Sequence, residues 1–83
     1  MVYGFVQGVG FRFAVEREAR SRDVAGWVRN RGDGTVEAVF EGELEDVESL
    51  VAFCRRGPRG AAVDRVEVTA ESPEGLAGFR VAG

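Results

Sequence analysis

Histidine and lysine are both missing from this chain. Without histidine there is no imidazole general base, no phosphohistidine intermediate and no histidine-ligated metal. Without lysine all 11 basic residues are arginines, set against 14 acids for a formal charge of -3. That balance argues against nucleic-acid binding, which leans on a basic surface, and much of the surface reads as plain solvated charge. The bias fits a GC-rich genome and a salty cytoplasm equally well. Cysteine occurs once, as Cys54, so no internal disulfide forms and a reducing cytoplasm is the expected location. Long apolar runs are missing too. No stretch approaches a membrane span, and "MVYGFVQG" has neither the basic leader nor the apolar run of a signal peptide.

Cys54 calls for one test, because a cysteine followed by a phosphate-binding arginine is how some phosphatases work. In "CRRGPR" four residues separate Cys54 from Arg59, one short of the spacing such a loop uses. Cys54 also falls on the apolar face of an expected helix and reads as a buried, inert thiol.

What is present suffices for one domain over residues 1–83, since 83 residues at 45% hydrophobic support a single small core. Residues 2–6 read as a short strand. Residues 11–22 read as a helix with Phe11, Ala14, Val15 and Ala19 near one face. A strand over 24–30 leads into the turn "RGDG", and 35–41 alternates with Val36, Ala38 and Phe40 on one face. In "ELEDVESLVAFCRRG" Val47, Leu50, Val51 and Cys54 make one buried stripe. Acids sit in the first turn, arginines in the last, and Gly57-Pro58 end the helix. Strands over 62–70 and 79–83 complete an α+β, ferredoxin-like split βαβ plan, βαββαβ plus a short terminal strand, an antiparallel sheet with both helices on one face. Such a plan hosts many unrelated activities, so function has to be read from the loops. RNA-binding members need exposed aromatics on the central strands, where "TVEAVFE" exposes glutamates.

The loop "VQGVGFRF" joins the first strand to the first helix. Gly8 and Gly10 let successive N–H groups turn toward one spot beside a helix N-terminus, which is how tetrahedral anions are bound. Arg12 adds a forked, charged donor suited to phosphate oxygens. Two glycines and an arginine also describe an ordinary turn. Asn30, closing the second strand in "GWVRNRGDG", lies at the same end of the sheet. It is either a turn-initiating asparagine or an amide that holds a water beside a bound phosphate.

"GFVQGVGFRFAVEREA", then "VAGWVRNRGDGTVEAVFEG" and "GPRGAAVDRVEV", together resemble the acylphosphatase family over nearly the whole chain. The resemblance implies hydrolysis of carboxyl-phosphate anhydrides to a carboxylate and inorganic phosphate, with no metal and no cofactor. It implies a small-molecule acyl phosphate substrate, phosphate or sulfate as site ligand, and no nucleic-acid or membrane partner. Arg12 would grip the phosphate together with the backbone of Gln7, Gly8, Val9, Gly10 and Phe11, and Asn30 would orient the attacking water. Two other readings stand beside it. One is an anion-binding module without catalysis. The other is the acylphosphatase-like domain of a hydrogenase-maturation carbamoyltransferase, which would process carbamoyl phosphate. A monomer is the simplest reading of one compact domain.

Two departures from the family pattern matter. Members usually begin several residues earlier, so the first strand, central in such a sheet, is expected to be short and the fold less stable. Phe5 stands where a basic residue is common, leaving Arg29 and Arg31 to supply positive field nearby. The tripeptide "RGD" at 31–33 is an adhesion motif elsewhere and reads here as hairpin turn.

Overall fold

The computed structural model describes residues 1–82. Gly83, the last residue of the expected strand 79–83, lies outside them. The elements are β1 Val2–Phe5, α1 Phe11–Ser21, β2 Ala25–Asn30, β3 Val36–Glu41, α2 Leu44–Arg56, β4 Ala62–Val66 and β5 Phe79–Val81. They form the expected α+β, ferredoxin-like arrangement, with one five-stranded sheet in the order β4-β1-β3-β2-β5. The sheet is mixed rather than wholly antiparallel. β5 joins the far edge parallel to β2, with Gly26 beside Phe79, because residues 67–78 carry the chain across the end of the sheet before it enters that edge.

The core lies between the sheet and the two helices. Val2, Val6, Val28, Val36 and Phe79 meet Phe11, Val15 and Ala19 of α1 and Leu50 and Cys54 of α2. Phe11, Ala14, Val15 and Ala19 are the buried residues of α1, the face that their spacing predicts. Burying Phe11 contributes about 1.5–3 kcal/mol and fixes where the helix begins. Just past the C-cap Arg22 the chain turns at Asp23, a non-glycine residue with φ 59°. There Asp23 N–H bonds to Arg20 C=O at 3.2 Å and Val24 N–H to Ala19 C=O at 2.9 Å, a Schellman closure of the last carbonyls.

One part of the sheet differs from expectation. β1 has four residues and pairs with β3 only through Val2 and Val36. Along Ala38–Glu41, β3 therefore has β2 on one side and, among the described residues, no strand on the other. β4 stops at Val66 where a strand to residue 70 was expected. The last backbone exchange there joins Glu67 to Met1, at 2.9 and 3.0 Å. Among the described residues no backbone partner continues the β1–β4 ladder beyond Glu67, and a strand persists only while a neighbour supplies partners. Of the expected stripe in α2, Leu50 and Cys54 are buried, while Val47 and Val51 are half-buried.

Candidate active site

The loop after β1 is held at both ends by core residues, Val6 at 1% and Phe11 at 2% exposed. Between them Gly8 has φ 75° and Gly10 φ 76°. A Cβ at either would meet nothing within 4 Å, so the left-handed backbone, not space, is what calls for glycine. Gly10 is the N-cap of α1, and no side chain caps that helix. The helical ladder opens with Ala14 N–H to Gly10 C=O at 3.0 Å, which leaves the N–H groups of Phe11, Arg12 and Phe13 ahead of it. A left-handed residue followed by a helical one also forms the concave N–H nest that suits anions.

Charge sharpens the picture. The first turn of α1 has no acid and carries Arg12, a cation at the positive end of the helix dipole, which costs about 0.3–1 kcal/mol. Arg12 has no carboxylate partner among the described residues. In α2, by contrast, Glu45 and Asp46 sit in the first turn and Arg55 and Arg56 in the last. The start of α1 is thus a concentration of positive charge that a bound anion would balance.

Asn30 ends β2 opposite Val36. Its Oδ1 is buried and accepts no hydrogen bond from the protein among the described residues, although a buried amide oxygen ordinarily finds a donor. Val6, Gly8, Gly10, Phe11, Arg12, Phe13 and Asn30 line one cavity of about 200 Å³. A larger, more open groove of about 360 Å³ lies by Arg20, Asp23 and Gly78 at the other end of α1. Its cation is already engaged. Arg20 donates to Phe79 C=O at 3.0 and 3.3 Å and pairs with Glu16 at 3.2 Å.

Of the residues singled out from the sequence, Gly8, Gly10, Phe11, Arg12 and Asn30 therefore meet at one cavity. Val9 packs against the core. Gln7 points elsewhere, its Nε2 donating to Arg31 C=O at 2.7 Å and Thr35 C=O at 3.0 Å. That amide ties the glycine loop to the hairpin just beyond Asn30 and sets the distance between the two halves of the site. The hairpin is itself fixed, since Asp33 Oδ1 accepts from Thr35 N–H at 3.1 Å and from Thr35 Oγ1 at 2.6 Å. The RGD residues are thus turn-forming residues. Phe13 was missed, although an aromatic next to Arg12 and off the apolar face of the helix was a visible signal.

These cavity residues stand where the acylphosphatase pattern was read, and the sequence model of that family matches residues 1–81. The chain belongs to the acylphosphatase family. It is 60% identical over 82 residues to the acylphosphatase of Thermococcus kodakarensis, covering 99% of this chain and 90% of that one. The crystal structure of acylphosphatase from Bacillus subtilis superimposes with a TM-score of 0.94 at 42% identity, over 99% of this chain and 92% of that one. The crystal structure of HypF from T. kodakarensis matches with a TM-score of 0.80 at 40% identity, over 96% of this chain and 11% of that one.

Two expectations about an acylphosphatase site in this chain bear on its charge. Arg29 and Arg31 do not replace the basic residue missing at Phe5. Arg29 lies 2.7 Å from Glu37, and Arg31 lies 3.5 Å from Glu37 and 3.8 Å from Asp33. The Arg29 hydrogen bond holds the Glu37 carboxyl below its usual range, so that positive charge is largely neutralised. Cys54 takes no part. Burial pushes its thiol up to about 12, leaving almost no thiolate at neutral pH.

Proposed function

We propose that the chain carries out acylphosphatase chemistry by direct attack of a water held on Asn30 upon a phosphate gripped by Arg12 and the backbone N–H groups of residues 7–12. The observation that carries this reading is the unpaired Oδ1 of Asn30 in the same cavity as the unpaired Arg12. The amide oxygen accepts a hydrogen bond from one O–H of the water and so points the water's lone pair at phosphorus. As the new O–P bond forms, the P–O bond to the acyl carbon breaks and its electron pair leaves on the carboxylate. A phosphate oxygen takes the water's proton.

So sparse a site is sufficient for this reaction. The departing carboxylate is the base of an acid with a pKa of about 4, so no general acid is required. Phosphoryl transfer passes through a loose transition state that asks mainly for positioning and electrostatic stabilisation. Arg12 and the helix N-terminus supply the stabilisation, and the Gln7 brace supports the positioning.

In this reading the chain works as a single domain over residues 1–83, as a monomer in the cytoplasm, with small acyl phosphates as substrates. Among the described residues no helix is long and apolar enough to cross a membrane. The chain spans 90% of the length of the T. kodakarensis acylphosphatase it resembles. Release of phosphate from benzoyl phosphate, with EDTA and no added metal, tests the reading. Release by the native chain that Asn30→Ala removes supports it. A folded chain that binds phosphate and releases none is an anion-binding module instead.

A further inference from the structure

The cavity has one apolar wall that this chemistry leaves unused. Among its lining residues Val6 and Phe11 are turned into the core, whereas Phe13 is 61% exposed. Phe13 lies off the buried face of α1 formed by Phe11, Ala14, Val15 and Ala19. No aromatic ring stacks on it among the described residues. Its neighbour is the Arg12 guanidinium, whose carbon lies 5.7 Å from the ring centroid. A lone exposed aromatic on a helix is ordinary. At the rim of a cavity whose other apolar residues, Val6 and Phe11, are buried in the core, it offers an open surface that favours an apolar group over water.

Resting on the function proposed above, we propose that Phe13 is the acyl-group subsite and biases the enzyme toward aryl acyl phosphates over acetyl phosphate. The direction of the reaction supplies the argument. Attacking water and leaving carboxylate lie on opposite sides of phosphorus. Water on Asn30 belongs to the sheet layer, so the acyl group emerges toward the helix layer, where Phe13 follows Arg12 in the first turn of α1. An aromatic acyl group there packs edge-on or offset against the ring, as aromatic pairs prefer. A methyl group is too small to cover that face.

The test is the ratio of kcat/KM for benzoyl phosphate to that for acetyl phosphate, in the native chain, Phe13→Ser and Phe13→Tyr. The subsite requires the ratio to fall roughly 3- to 10-fold in Phe13→Ser and to be largely restored in Phe13→Tyr. A ratio that stays put in Phe13→Ser overturns it. If both rates then fall together and inorganic phosphate inhibits less well, the ring serves to hold Arg12. If neither rate falls, the ring is only solvent-exposed surface. A native chain that hydrolyses neither substrate overturns the proposed function itself, a result distinct from an unchanged ratio.

Discussion

The two ends of the sheet both leave backbone or side-chain groups without partners, and they do so in opposite ways. At the end where β1 meets α1, the unpaired groups are few, positive or amide in character, and gathered on a cavity of about 200 Å³. They are held there by buried neighbours, by the Gln7 amide and by the Asp33–Thr35 turn. At the end where β1 begins, the groups without a strand partner run along Ala38–Glu41 of β3 among the described residues. Leu44 and Val68 lie exposed there at 70% and 58%. Unsatisfied groups signal a site when they converge under constraint. Spread along an edge, they signal lost stability.

Substitutions separate the two ends, and the largest effects belong to the cavity. Arg12→Ala should lower kcat/KM for benzoyl phosphate by about 10²-fold or more and weaken inhibition by inorganic phosphate, while the melting temperature changes little. Asn30→Ala should lower kcat by about 10²-fold and largely spare phosphate inhibition, as fits a group acting in the transition state. Loss of phosphate affinity at unchanged kcat would contradict that assignment.

At the other end the readout is stability. Adding a few residues of alternating apolar pattern before Met1 should pair Ala38–Glu41 and cover Val47. A gain of about 1–3 kcal/mol corresponds to a melting temperature roughly 5 °C higher or more, with phosphate inhibition unchanged. An unchanged melting temperature would mean that the open edge costs nothing. The smallest effect concerns the Glu37 ion pair. Its carboxyl is held low by Arg29, so the stabilisation is full above the ordinary carboxylate range and is lost as pH falls through the lowered value. Glu37→Gln should therefore cost roughly 0.2–1 kcal/mol at neutral pH, and the difference in melting temperature should vanish in acid.

Much of this was legible in the chain itself. The helices, the order of elements along the chain and the meeting of Gly8, Gly10, Arg12 and Asn30 follow from periodicity, turn chemistry and a paired motif, all of which are local signals. The failures concern partners. Residues 67–70 have strand-like sequence and Val47 has core-like spacing, yet pairing and burial are set by what lies beside them in the fold. The charges of Arg29 and Arg31 could be counted from sequence, but their neutralisation by Glu37 is set by strand register. Gln7 was read through its backbone, and its side-chain brace appears only once the hairpin is folded against the loop.

The make-up of the cavity also governs how the enzyme answers acidity. Its walls are apolar residues, backbone, one amide and one guanidinium, with no acid, thiol, phenol or imidazole among them. Such a wall neither gains nor loses a proton near neutrality. The rate should then follow the ionisation of the acyl phosphate, and a bell-shaped profile with protein-borne limbs has no residue in the cavity to produce it. Acidity then acts on turnover through the charge of the substrate rather than through the walls of the cavity.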